Sequence, residues 1–242
     1  MTSRSPLLAH QTLDGIPTDS FREAHPYPWL NPENILSDQA FDILRTNLPP
    51  LDQMNASFGR ARAHGQTPHD RYALEYHPDL SIHPAWHQLV DELNGPVYQN
   101  WLARLFDTRR FRLTYHWHYA PRGASVSPHC DAKRKLGSHI FYFNTADEWD
   151  PSWGGETVIL DDGGRFSRAS APGFDDFDQS WTANAMGNRS LLFQRQGNSW
   201  HGVKPLNCPD DRLRKVFIVV VNADNLGGRL RRLFHRPDGK KV

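Results

Sequence analysis

The chain has 242 residues, with 28 Lys and Arg against 27 Asp and Glu, so a formal charge of +1 gives no overall pull toward nucleic acid or a membrane surface. That length serves one large domain or two small ones and can bury a core without cross-links, with 12% aromatic residues to fill it. Two cysteines, Cys130 and Cys208, make no disulfide framework and are expected as reduced thiols; with no signal-like or membrane-length apolar run, the expected location is the cytoplasm.

Residues 1–30 show no hydrophobic period and are expected as an arm lying on the surface. Residues 37–48, SDQAFDILRTNL, place a capping Ser37 before Ala40, Phe41, Ile43, Leu44 and Leu48, which predicts a short amphipathic helix. Residues 49–80 are polar and irregular. Residues 83–106 predict two helices, the first opened by Pro84 and the pair parted by NGP at 94–96.

The pattern changes after Thr108. In FRLTYHWHY, 111–119, Phe111, Leu113, Tyr115, Trp117 and Tyr119 alternate with Arg112, Thr114, His116 and His118, the period of a half-buried strand. Short apolar segments follow at 139–144, 156–160, 190–194 and 215–222, parted by Gly, Pro, Asp and Asn. Helices followed by a run of strands predict an α+β, mainly β chain: an antiparallel sandwich or barrel braced by N-terminal helices. The expected organisation is a single domain over 1–242, with an N-terminal arm and supporting helices at 1–108, the core at 109–224 and a basic C-terminal tail at 225–242. The tail is expected as a solvated helix or as a docking patch for an anionic partner. The long polar segment 161–181, which carries Arg165, Phe166, Phe174 and Phe177, is either a lid or a surface insertion.

Chemistry concentrates at SPHCDAKRKLGSHIFYFN, 127–144. If His129 and Asp131 lie on a strand, they point to the same side and can offer a nitrogen and an oxygen to one ion. His201, about seventy residues on, can supply the third donor. Two His and one carboxylate on one face leave the opposite positions of an octahedral ion open, the arrangement of non-haem Fe(II) oxygenases. An oxo-acid in those positions needs a cation at its far end. Arg212 and Arg214 share a face with Val216 and Ile218 by alternation, and either guanidinium can grip a carboxylate.

Together these residues resemble the 2-oxoglutarate and Fe(II) dependent dioxygenases, most closely the prolyl 4-hydroxylase-like branch, over about 111–224. The resemblance rests on HxD…H at His129, Asp131 and His201, and on RKVF at 214–217. Three further matches are YAPRG at 119–123, WGGET at 153–157 and NRSLLF at 188–193, and Tyr142 stands in the strand after the HxD pair. It implies a double-stranded β-helix, or jelly roll, with the metal in its mouth. It implies Fe(II) on His129, Asp131 and His201, and 2-oxoglutarate held by Arg214, with Arg212 the alternative, helped by Tyr142 and with Tyr119 lining the pocket. It implies dioxygen as co-reactant, ascorbate as an auxiliary reductant, and hydroxylation of an unactivated C–H bond with release of succinate and CO2. The retained Asp131 favours hydroxylation over halogenation. The substrate is a protein side chain such as proline, or a small molecule; no nucleic acid or membrane partner is indicated. A non-catalytic jelly-roll binding module and a cupin-type metalloenzyme without 2-oxoglutarate are the alternatives. His139, His116 and His118 are expected as structural or surface residues, and Lys133, Arg134 and Lys135 as a lip that meets substrate or only solvent.

Overall fold

The computed structural model describes residues 5–224, so the basic tail at 225–242 lies outside the described residues. In chain order the first elements are α1 (His10–Gly15), α2 (Thr18–Arg22), β1 (Trp29–Leu30), α3 (Asp38–Thr46), β2 (Asn55–Ser57), β3 (Arg71–Glu75), α4 (Pro84–Asn94) and α5 (Pro96–Phe106). Then come β4 (Phe111–Ala120), β5 (Val126–His129), β6 (Lys135–Tyr142), β7 (Val158–Asp161), β8 (Gln179–Thr182), β9 (Ser190–Gln194), β10 (Trp200–Val203) and β11 (Arg214–Ala223).

Local chemistry accounts for the helices. The Ser37 hydroxyl accepts the Ala40 N–H and starts α3, which buries Ala40, Phe41 and Leu44. Proline opens both α4 and α5, where its missing N–H has no helical partner to lose. The helix α4 buries Trp86, Leu89, Val90 and Leu93 on one stripe, and α5 buries Tyr98, Trp101, Leu102 and Leu105.

The strands form two antiparallel sheets. The large one has the order β1-β9-β6-β11-β4-β3-β2, and the small one β5-β10-β7-β8. The strands β6, β9 and β11 of the large sheet bury residues on both faces. The aromatic set Tyr115, Trp117, Tyr119, Phe141 and Phe217 packs into one cluster with the helices. The rings of Trp86 and Trp117 meet edge to face at 5.1 Å, and Trp86 lies 5.1 Å from Phe217. Truncating Trp86 to Ala is expected to cost about 3–5 kcal/mol. The opposite set, Ile140, Tyr142, Val216 and Phe193, packs toward the small sheet with Ile159. The large sheet is thus a partition, with helices behind it and a cavity in front.

Three expectations need correction. Residues 1–30 are no surface arm: Leu7, Leu8, Leu13 and Phe21 are buried in the helix-side core, and Glu92 accepts the Leu7 and Leu8 N–H groups. Alternating turns and short helices hid the period there. The irregular 49–80 segment contains β2 and β3, and β3 extends the large sheet beside β4. Segment 161–181 is anchored rather than a free insertion. It ends in β8 paired to β7, and the rings of Phe166 and Phe177 lie 6.2 and 5.7 Å from Trp200.

Candidate metal centre and oxo-acid pocket

The cavity between the sheets has a volume of about 560 Å³. Its floor holds the one group of three or more His, Cys, Asp or Glu, among the described residues, able to close on a metal. His129, Asp131 and His201 bring one donor atom each to within 4.8 Å of one another.

Strand register explains how residues so far apart meet. His201 on β10 lies directly opposite His129 on β5, and their rings are 4.4 Å apart. The next position carries no Cβ: a methyl at Gly202 would stand 2.6 Å from the Val126 carbonyl and 2.8 Å from Phe174. Asp131 reaches the site from just beyond β5, which ends at His129. Strand alternation therefore does not place it, contrary to expectation. The strand β6 does, because its Lys135 Nζ and Ser138 Oγ hold the two carboxylate oxygens at 2.7 and 3.2 Å.

The ring nitrogens are sorted for coordination. His129 Nδ1 lies 3.0 Å from the Ser127 carbonyl, and His201 Nδ1 lies 2.9 Å from the Ser199 carbonyl. Each Nδ1–H is thereby donated to backbone, which leaves both Nε2 lone pairs for an ion. Burial, reinforced at His129 by His201, holds these imidazoles below the ordinary histidine range, so they are neutral at pH 7. Burial alone would raise Asp131, but the Lys135 ammonium and the two histidines pull its carboxyl well below the usual range. Two neutral imidazoles and one carboxylate, with fixed Nδ1 partners, fit a divalent ion such as Fe(II).

Arg214 opens β11 and enters the same cavity with Val216 and Ile218. It is 9% exposed, and among the described residues no carboxylate lies within ion-pairing distance of it. Its Nε donates to the Gly155 carbonyl, its Nη2 lies 3.5 Å from Thr157 Oγ1, and its guanidinium is 5.6 Å from the centre of the Tyr142 ring. The Tyr142 hydroxyl donates to Thr157 at 2.9 Å. Gly155 makes this possible. Its φ is +107°, and an added Cβ would lie 3.3 Å from Arg214 Cδ. A buried guanidinium without an anion is a poor resting arrangement, and a ligand carboxylate corrects it.

Arg212 does not share this position. It precedes the strand, is half-exposed and pairs with Asp211 at 3.5 Å. Tyr119 is also elsewhere: its hydroxyl donates to the Pro49 carbonyl at 2.9 Å on the helix side of the sheet. The residues of β4 alternate as the sequence predicts, but the cavity lies on the polar face, so His118 lines it instead of Tyr119. His139 is structural: it is buried, with Nδ1 2.7 Å from the Tyr98 hydroxyl. Sequence reasoning missed Thr157, Ser138 and His69, whose ring lies 5.1 Å from that of His129. Burial, then Arg62 and Arg71, lowers the His69 imidazole to about 3. Thr157 had a signal, as the last residue of WGGET; His69 had none.

Residues 114–220 match the model of the 2OG-Fe(II) oxygenase superfamily. That stretch is a little under half of the chain, and it is similar in sequence to the core of that superfamily. That superfamily uses Fe(II) and 2-oxoglutarate, and the His129, Asp131 and His201 group suits the iron, which supports an Fe(II)- and 2-oxoglutarate-dependent oxygenase over the binding-module and cupin alternatives. No curated protein matches the oxygenase in sequence. Its fold is shared by a prolyl-4-hydroxylase from Pseudomonas putida, at 15% identity and TM-score 0.58, covering 89% of this chain and 99% of that one. A Trichoplax adhaerens prolyl hydroxylase, solved with a peptide fragment of the hypoxia inducible factor oxygen degradation domain, matches at 13% identity and TM-score 0.64, covering 94% of each chain. The non-heme alpha ketoglutarate dependent carbocyclase SnoK from nogalamycin biosynthesis matches at 10% identity and TM-score 0.60, covering 98% of each chain. The jelly roll expected from the sequence is the fold that these neighbours share. Among the described residues no helix is long and apolar enough to cross a membrane.

Proposed function

We propose that the oxygenase hydroxylates an unactivated C–H bond with His129, Asp131 and His201 as the iron ligands and Arg214 as the anchor of 2-oxoglutarate. The observation that carries this reading is the register of β5 and β10, which sets two histidines opposite each other with both Nδ1 atoms committed to backbone. Iron and 2-oxoglutarate supply the oxidising power, converting C–H and dioxygen to C–OH while the oxo-acid becomes succinate and CO2.

The chain's own residues bind and orient. Arg214 neutralises the far carboxylate of the oxo-acid. Thr157 and Tyr142 fix the guanidinium plane, and Gly155 lets the side chain pass. Ser138 and Lys135 hold the Asp131 carboxylate in place before the ion arrives. Val216, Ile218 and Phe193 line the same cavity and restrict water. One structural neighbour was solved with a peptide and another is named for a natural-product pathway, so the fold by itself serves both substrate kinds.

The test is metal binding and turnover in Asp131→Ala and His201→Ala. Calorimetric titration with Mn(II) should lose its high-affinity phase in both variants, and succinate formation from 2-oxoglutarate should vanish. Full turnover in either variant refutes the ligand assignment.

A further inference from the structure

We infer that the substrate is a small anionic molecule, carrying a phosphate, sulfate or carboxylate group, and that Arg71 and Arg168 grip that group at the cavity mouth. This rests on the reading of His129, Asp131 and His201 as the iron centre and of Arg214 as the 2-oxoglutarate anchor.

The charge of the cavity is the first ground. The whole chain is nearly neutral, at +1. The cavity wall, in contrast, holds Arg62, Arg71, Arg134, Lys135, Arg168 and Arg214 against a single carboxylate, Asp131. Iron, at +2, is offset by Asp131 and one carboxylate of 2-oxoglutarate, and Arg214 by the other carboxylate. Lys135 and four arginines then keep their charge. Among the described residues, none of Arg62, Arg71, Arg134 and Arg168 has a carboxylate within ion-pairing distance; the one acid lining the cavity pairs with Lys135. Low-dielectric walls focus such a field on whatever enters.

Unmet hydrogen-bonding capacity is the second ground. The Nε atoms of Arg71 and Arg168 are both buried without a partner. Arg71 spends Nη1 on the His69 carbonyl at 2.8 Å, and Arg168 reaches the Asp131 carbonyl with Nη2 at 3.5 Å. Those bonds fix the two guanidinium groups without neutralising them. Burial, then the neighbouring Arg62 and Arg60, depresses the Arg71 guanidinium, so like charges are crowded there. A tetrahedral or planar anion meets both needs, since it accepts from several N–H groups and cancels the repulsion.

Position and size are the third ground. Both arginines line the cavity: Arg71 opens β3, and Arg168 lies in the 161–181 segment, tied to the backbone of the metal ligand Asp131. An anion held between them keeps the rest of the molecule over the metal. About 560 Å³ must take 2-oxoglutarate as well as substrate, which suits a compact molecule better than an extended chain.

The test uses the full chain loaded with Mn(II) and 2-oxoglutarate, titrated calorimetrically with phenyl phosphate, with phenol as its neutral counterpart, and with sulfate. Phenyl phosphate should bind at least ten-fold more tightly than phenol, compete with sulfate, and weaken about ten-fold as salt rises from 50 to 300 mM. Arg71→Gln combined with Arg168→Gln should lose at least ten-fold in phenyl phosphate affinity, with the thermal midpoint reporting folding. Equal binding of phenol and phenyl phosphate by the unaltered protein overturns the proposal whether or not the variant folds. So does an unchanged affinity in the folded variant. A matching loss of 2-oxoglutarate affinity in that variant would give these arginines to the cosubstrate and also overturn it. An acidic peptide of Asp and Glu that binds more tightly than phenyl phosphate would overturn the small-molecule assignment. Failure of the unaltered protein to bind Mn(II) or 2-oxoglutarate at all is read separately, and refutes the iron-centre reading instead.

Discussion

Replacing Arg214 with Met separates the cost of holding a buried charge from its use. In the ligand-free protein the guanidinium is 9% exposed, no carboxylate among the described residues lies within ion-pairing distance, and burial depresses its pKa. Methionine removes that desolvation penalty but leaves the Gly155 carbonyl without its donor, a loss of about 1–3 kcal/mol. The two terms oppose, so ligand-free stability should change by no more than about 1 kcal/mol, or about 4 °C in Tm for a chain of this size. For 2-oxoglutarate nothing offsets the loss. A buried carboxylate deprived of its cation costs about 3 kcal/mol, which is roughly 150-fold in Kd. Arg212→Met, at a half-exposed position paired to Asp211, should change Kd less than two-fold. The assay is calorimetric titration of 2-oxoglutarate into the Mn(II)-loaded variants, beside Tm without ligand. A loss below ten-fold for Arg214→Met, or a larger loss for Arg212→Met, refutes the assignment. A fall of 15 °C or more in the ligand-free Tm would make Arg214 a structural residue instead.

Gly155→Ala should raise the KM for 2-oxoglutarate several-fold and cost about 1–3 kcal/mol of stability, because it strains the backbone at φ +107° and crowds Arg214; an unchanged KM refutes this. Tyr119→Phe should cost about 1 kcal/mol in urea denaturation and leave 2-oxoglutarate affinity unaltered, since the hydroxyl serves Pro49. Burial holds the His139 imidazole at about 3, below its unfolded value of about 6.5, so its contribution is complete above pH 6.5 and is lost as pH falls toward 3. Between pH 7.5 and 5 this amounts to about 2 kcal/mol, and His139→Gln should lose that much less than the unaltered protein in a urea comparison at the two pH values.

The sequence was most informative where a short pattern carried both chemistry and geometry. His129, Asp131 and His201 could be grouped from the sequence, and the folded chain does bring their donor atoms together, while alternation put Arg212 and Arg214 on one face and only the fold parts them. Alternation failed at Tyr119 for a physical reason. It sorts a strand into two faces but does not say which one meets the cavity, and on β4 the helices took the aromatic face. The strands β2 and β3 were hidden because they are short and carry polar residues, Asn55 and Ser57 on one and Arg71 and Glu75 on the other, where a core strand carries Val and Ile. The cavity rim was invisible for a related reason. Arg71 and Arg168 stand 97 positions apart (168 − 71) and share no local pattern, and only the folded chain brings them to one cavity.

The pairing of His129 with His201 also bears on how the protein holds together. An ion bound by both is a cross-link between strands 72 positions apart (201 − 129), and for a cross-link closing such a loop chain entropy alone gives about 4 kcal/mol. That constraint falls on the smaller sheet, in which β5 is an edge strand attached through β10 alone. Loading with iron is therefore also a fastening step. Amide exchange should slow on β5 and β10 on metal addition while the helix-backed sheet changes little, so supply of the metal would govern the lifetime of the folded chain as well as its turnover.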